Sequence, residues 1–223
     1  LNIISRIILQ FLSGIICAYI FLDQLDNLFI YKLFLLGIWS IYLTNSLNFY
    51  DGKNLNFAFL LIIILIFNYF IANNSISNIF IILILSFIIF SFYNHFFKKY
   101  YFGDSGCFVI AAFLNYLLIT NATTDFNNII IYFIPLCLPF VDVIFVILYR
   151  IYKKEDLTTR NHYHLYQRIC ENYSGYLYLL PTLFSSLILF CIYIMYSFNY
   201  IGLVLYFVIS LFFIIIFYFY LFS

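Results

Sequence analysis

The sequence encodes an all-α, polytopic membrane protein. Three features lead there: 66% of its 223 residues are hydrophobic, only 9% are charged, and the apolar residues fall into long runs between short polar breaks. Mean hydropathy is +1.07. A water-soluble domain carries about 25% charged residues and under half apolar ones, so this chain lacks the polar surface to cover a globule in water. Runs of roughly 17–25 apolar residues suit helices that cross a bilayer core about 30 Å thick. Phe, Ile, Tyr, Asn and Lys are also what an AT-rich gene over-produces, so clusters of polar residues carry more information than single ones.

About eight membrane-spanning helices are expected, over residues 6–22, 28–46, 55–72, 77–94, 106–120, 128–150, 176–197 and 200–222. Arg6 followed by 7–22 has the outline of a signal peptide, but no small-residue cleavage site follows, and the run reads as the first span. The second ends in the polar stretch "TNSLNFYDGKN", 44–54, and the fifth begins after "FGDSG", 102–106. The sixth holds Pro135 and Pro139, which are expected to kink it, and an ionisable residue, Asp142, about two turns inside. The only Met is Met195, so Leu1 is not expected to be the translational start. The chain reads as one transmembrane domain over 1–223, with functional loops at about 47–54, 95–105 and 151–175.

The basic residues assign the sides. Arg6, Lys53, Lys98, Lys99, Arg150, Lys153, Lys154, Arg160 and Arg168 share one set of loops, and only Lys32 falls in the other. An excess of Lys and Arg marks the cytoplasmic side, so those three loops are expected there, in a multi-pass protein of the inner (plasma) membrane. Net charge, +1, is uninformative beside this asymmetry. The five Cys form no CxxC and four lie in apolar runs, so neither a disulfide framework nor a zinc site is expected.

Three polar clusters share the cytoplasmic face. Asn45, Asn48 and Asp51 recur at i, i+3 and i+6, so a helix carried to that point projects them from one side. Such oxygens suit a hard cation or a sugar hydroxyl, or simply a solvated helix end with an Asp-Gly turn. In "KKYYFGDSGCF", 98–108, Lys98 and Lys99 precede Asp104 and Ser105 at a helix start. That is a normal N-cap, or an Asp placed to hold Mg²⁺ against a phosphate at an anion-binding helix end. The loop "RNHYHLYQR", 160–168, combines His162 and His164 with Arg160 and Arg168. It reads as a basic loop that holds phosphates or as a positive-inside loop. His95 is read as interfacial.

The order of these motifs carries a resemblance. "NSLNFYDG", then "FGDSG", then "PFVDVIFVILYR", then "RNHYHLYQR" is similar to the polyprenyl-phosphate N-acetylhexosamine-1-phosphate transferases, in their surface-polysaccharide branch, and covers nearly the whole chain. The resemblance implies Asp104 as a ligand of Mg²⁺, or of Mn²⁺ in its place. It implies a catalytic face lined by Asn45, Asn48, Asp51 and Asp104. His162, His164, Arg160, Arg168, Lys99 and the Asp142/Arg150 pair would bind substrate.

The implied reaction joins a sugar 1-phosphate from a UDP-N-acetylamino sugar to polyprenyl (undecaprenyl) phosphate and releases UMP. It would start a cell-envelope glycan such as O-antigen. Membrane lipids and a second copy of the chain are further expected partners, and nucleic acid is not. The family carries an Asp-Asp pair in the loop before the span that begins at Arg6; this chain is expected to start just after that point, without the pair and the family's N-terminal spans, and so by itself to be inactive. Cys107 replaces a usual Ser, and Tyr163 a small or basic residue of one branch. The competing readings are a lipid or glycan transporter and a catalytically inactive homologue. A transporter predicts midplane charges and repeat symmetry, whereas only Asp142 lies inside a span and no repeat is found.

Overall fold

Backbone polar groups in an apolar solvent must be satisfied within their own segment, which leaves the helix as the economical choice for these runs. The computed structural model is accordingly all-helical among the residues it describes, which are 2–22, 28–53, 55–71, 77–97, 101–122, 134–157, 159, 162–173, 175–199 and 201–222. Nine α-helices are described: α1 (Ile3–Phe21), α2 (Phe29–Tyr50), α3 (Asn56–Ile71), α4 (Ser77–Phe97), α5 (Gly103–Ala122), α6 (Cys137–Tyr152), α7 (Leu165–Asn172), α8 (Leu180–Ser197) and α9 (Leu203–Phe222). Two 3₁₀ turns, Ile134–Leu136 and Leu177–Leu179, lead into α6 and α8.

Four stretches are long and apolar enough to cross a membrane: Ile3–Phe21, Phe29–Tyr50, Asn78–Phe97 and Leu177–Ser197. Three more, Asn56–Phe70, Gly103–Leu117 and Leu203–Ile216, are apolar but shorter. Large apolar side chains such as Ile30, Ile82, Phe92 and Val204 point outward, as lipid-facing residues do and as those of a soluble protein rarely do in such number.

The chain forms two compact units. The first is Leu1–Asp51 with Phe102–Ile129, and the second is Gly52–Tyr101 with Ile130–Ser223. In the first unit, α1 lies against α2 where both carry glycine. A Cβ on Gly14 would meet the Leu36 carbonyl oxygen at 2.6 Å, and one on Gly37 would meet the Phe11 ring at 2.5 Å. Lipid gives helices no hydrophobic reason to associate, so close backbone approach and interhelical hydrogen bonds hold them. The Asn45 amide donates to Gln10 Oε1 at 2.9 Å, and Gln10 returns a longer bond of 3.5 Å. Ser13 and Ser40 hydroxyls meet at 3.2 Å, and Asn115 of α5 donates to Ser40 Oγ at 2.9 Å.

In the second unit, Phe67 of α3, Cys137 and Leu138 of α6, Leu165 of α7, Leu189 and Ile192 of α8, and Tyr206 and Ile214 of α9 build the core. Leu55, in the left-handed region at φ 66, turns the chain into α3, and its N–H donates to Asn94 Oδ1 of α4. Pro135 and Pro139 do not kink a continuous helix among the described residues. Pro135 sits in the 3₁₀ turn and Pro139 in the first turn of α6, where proline's missing N–H costs nothing. The long loop after α6 also contains a helix, α7, that the apolar pattern alone did not announce.

Gly14→Ile forces a side chain against the Leu36 backbone, which cannot swing away as a side chain can. The expected loss is about 1–3 kcal/mol, read as a lower Tm in detergent. Ile at Gly103, where an added Cβ meets nothing, loses stability through its φ of +68 instead. An unchanged Tm for Gly14→Ile contradicts the close α1–α2 packing.

Candidate functional site

A helix start leaves backbone N–H groups without intrahelical acceptors. In the first unit the start of α5 finds its acceptor far away in sequence, at the end of α2. Asp51, the C-cap of α2, accepts from Gly103 N–H at 2.6 Å and from Phe102 N–H at 3.3 Å. The carboxylate thus ties the residue where the first unit's chain leaves to the residues where it returns. The positive end of the helix dipole favours an anion at this place.

This moves the helix start. The sequence led to a cap at Asp104 or Ser105, but α5 begins at Gly103, with φ +68, because Asp51 already caps it. Asp104 and Ser105 therefore stand in the first turn and are exposed. Asp104 Oδ2 lies 3.5 Å from Arg6, whose guanidinium is 5.8 Å from the Phe108 ring centre. An exposed pair of this kind is worth about 0–1 kcal/mol. A Cβ on Gly106 would meet the Phe102 ring at 2.3 Å, so a larger residue there would have to displace that ring.

Burial pushes the Asp51 carboxyl above its ordinary value, more than the Gly103 and Phe102 N–H groups pull it down, and Asp104 adds to the rise. The expected triad of Asn45, Asn48 and Asp51 separates in role. Asn45 is spent on Gln10 and on the Ile41 carbonyl, at 2.7 Å. Asn48 is half-buried, and its carbonyl accepts from the Asp51 N–H at 3.3 Å.

In the second unit the same device recurs. Asp142 of α6 is fully buried. Its Oδ1 accepts from Leu165 N–H, the first residue of α7, at 3.0 Å, and its Oδ2 lies 2.9 Å from His164 Nδ1. The Gln167 side chain accepts from the His164 N–H at 3.2 Å and completes the helix start.

Two turns along α6, Arg150 is also buried, and its guanidinium is consumed by the loop that follows. It donates to the carbonyls of Thr159 at 3.0 Å, Leu157 at 3.4 Å and Asp156, and to Thr159 Oγ1 at 2.8 Å. Glu155 lies 3.8 Å from its Nε and accepts from the Tyr163 hydroxyl at 2.8 Å. That hydrogen bond raises the Tyr163 phenol above its ordinary value.

The two histidines of the H-x-H pair part company: His164 is buried on Asp142, and His162 is exposed. Arg168 is half-buried on α7. Lys99 and Arg160 lie outside the described residues. His95, at the end of α4, meets the Tyr176 hydroxyl at 2.7 Å.

Sequence reading passed over Gln10, Glu155, Thr159 and Gln167. Only Gln167 had a local signal, its place three residues after His164 in the manner of a capping box.

No group of three or more His, Cys, Asp or Glu side chains able to hold a metal is present among the described residues. Asp104 is a single exposed carboxylate beside Arg6, and such a group would hold Mg²⁺ only together with waters and substrate phosphates. Comparison with family models, curated proteins and solved structures finds no match to this chain.

Two outcomes follow. With its folded value raised, Asp51 binds a proton more readily folded than unfolded. It therefore adds stability as pH falls through that raised value towards the unfolded one near 3.9, and this contribution is absent at neutral pH. The Tm difference between the wild type and Asp51→Asn, measured in detergent, is expected to move in favour of the wild type on acidification. A difference that moves the other way contradicts the assignment. Arg150→Lys loses the planar fork that reaches several carbonyls, so limited proteolysis is expected to cut within 155–162 several-fold faster. Unchanged cutting means that the loop does not depend on Arg150.

Proposed function

We propose that the chain belongs to an enzyme that transfers an N-acetylamino-sugar 1-phosphate from a UDP-sugar to polyprenyl phosphate at the inner membrane. It spans the bilayer about eight times, its Lys- and Arg-rich loops are cytoplasmic, and the product starts a lipid-linked envelope glycan. The reading rests on the ordered set of four motifs, 45–52, 102–106, 139–150 and 160–168. The single observation that supports it best is the exposed Asp104 carboxylate in the first turn of α5. A helix that caps itself would have consumed that side chain, whereas Asp51 caps this one from outside.

In the reaction, an oxygen of the lipid phosphate forms a bond to the sugar-bearing phosphorus, the diphosphate P–O bond breaks, and UMP leaves with the bonding electrons. Mg²⁺ held by Asp104 would supply charge neutralisation on the phosphoryl oxygens. The chain's own residues position and bind. Asp51 holds the start of α5, and with it Asp104. Asn45 holds α1 against α2. Arg150 and Asp142 shape the loop that carries His162, and His162 and Arg168 present donors for phosphate oxygens.

The test is UMP release in membranes from UDP-N-acetylamino sugars, polyprenyl phosphate and Mg²⁺. The chain is expressed with any coding sequence that precedes Leu1. Release that requires both lipid and metal is expected. Asp104→Asn is expected to lower it at least 100-fold at unchanged Tm, because the exposed carboxylate contributes little to folding. Absence of release from folded protein with every such sugar, or full Mg²⁺-dependent release by Asp104→Asn, overturns the reading.

A further inference from the structure

Two candidate spans of the second unit have neighbouring ends. Asn78–Phe97 finishes just after His95, and Leu177–Ser197 starts just after Tyr176. The Tyr176 hydroxyl meets His95 Nδ1 at 2.7 Å, with the rings 5.5 Å apart, and ties these ends together. The Tyr178 ring lies 6.1 Å from that of Tyr176. Lys53, in the turn before α3, holds its ammonium 6.0 Å from the Tyr178 ring centre. Lys53, Tyr178, Tyr176 and His95 thus form one row across three helix ends.

The charge around this row is one-sided. Residues 52–101 contain three Lys and no Asp or Glu, and Glu171 is the only acidic residue between 157 and 199. An ammonium over a ring keeps N–H donors for an oxygen, and the bond to Tyr176 leaves His95 its Nε2. Tyrosines gather where the ends of membrane spans meet headgroups. An apolar stripe of α4 also runs up to this place. Ile81, Leu85, Ile88 and Phe92 are exposed, and their spacing of four, three and four residues, with His95 three further on, puts all five on one face.

We propose that Lys53 and the His95–Tyr176 pair seat the phosphodiester headgroup of an anionic membrane phospholipid, with an acyl chain along the α4 stripe. The donors and the shortage of carboxylates complement a phosphate. The apolar stripe that continues from His95 is what a soluble phosphate would not need. This seat depends on the membrane-spanning helices and not on the transferase reading.

The test places the full chain in nanodiscs of phosphatidylcholine alone, and of phosphatidylcholine and phosphatidylglycerol in equal parts. Native mass spectrometry counts the lipids that each protein retains, and Tm is read alongside. The wild type is expected to retain phosphatidylglycerol over phosphatidylcholine and to melt higher in the mixture. Lys53→Gln is expected to retain about fivefold less phosphatidylglycerol at an unchanged Tm in phosphatidylcholine, and Lys53→Arg to retain as much as the wild type. Tyr176→Phe, which unties the His95 ring without changing charge, is expected to lose retention to a lesser degree. Lys153 also lies over a tyrosine ring, Tyr149, at 5.1 Å, so Lys153→Gln is the matched control and is expected to change retention little.

Equal retention of the two lipids by the wild type overturns the proposal, with no variant needed. Equal losses in Lys53→Gln and Lys153→Gln also overturn it, because they mean a diffuse attraction to the basic loops. Soluble glycerol phosphate that raises Tm in phosphatidylcholine as far as phosphatidylglycerol does overturns the lipid as occupant. Selective retention by protein that transfers no sugar phosphate leaves this proposal standing and overturns the transferase reading alone.

Discussion

A carboxylate placed in apolar surroundings must have its oxygens filled, or it costs several kcal/mol. Asp142 sits in the middle of α6 with no exposed surface, and the course of the chain after that helix follows from this constraint. Its two oxygens take the ring of His164 and the N–H of Leu165, so α7 must begin where α6 is buried. Arg150 faces the converse requirement, a buried cation with several donors. The loop between 156 and 159 turns its carbonyls inward to meet it. Two buried ionisable groups, eight residues apart on one helix, thereby fold a segment that has few apolar residues of its own.

The first unit uses the same physics at lower depth. Asp51 closes α2 and opens α5, and in doing so it joins segments that are 51 and 52 residues apart in the chain. A cap supplied from outside frees the helix's own first-turn side chains from capping it, and Asp104 instead meets Arg6 at 3.5 Å. That is why Asp104 can be both at a helix N-terminus and exposed. Deeper in this unit, the amide and hydroxyl pairs at Gln10–Asn45, Ser13–Ser40 and Ser40–Asn115 hold α1, α2 and α5 where apolar contacts alone would not discriminate among partners.

Much of the architecture was legible because each helix runs between polar breaks. Helices lie in the expected stretches as far as they are described, but only four of these stretches are long and apolar enough to cross a membrane, and α2, α4, α5 and α6 run two to four residues beyond their expected ends. Local reasoning failed where a long-range partner decided the outcome. The start of α5 was read from Asp104 and Ser105, since nothing near Gly103 reveals that Asp51 will cap it. Asn45 was grouped with Asp51 by helical spacing, but Gln10, 35 residues away, claims its amide. The prolines at 135 and 139 were read as kinks because a helix start and a helix kink leave the same residue type in the sequence. The resemblance implied a substrate role for Arg150, and nothing near it in the sequence announces the loop carbonyls of Asp156, Leu157 and Thr159 that its guanidinium meets. Asp142, read as an ionisable residue inside a span, is buried within the protein, as the cost of a charge in lipid demands.

The most direct test of the proposed reading is of its sidedness, in which the Lys- and Arg-rich loops are proposed to be cytoplasmic. The direct measurement is labelling of single cysteines at Ser105 and His162, with Asn199 as the opposite-face control, in a background from which the five native Cys have been replaced. A membrane-impermeant maleimide is added to sealed vesicles of known orientation. Ser105→Cys and His162→Cys labelled only from the cytoplasmic side, and Asn199→Cys only from the other, is the expected result. Labelling of positions 105 and 162 from opposite sides would contradict the account.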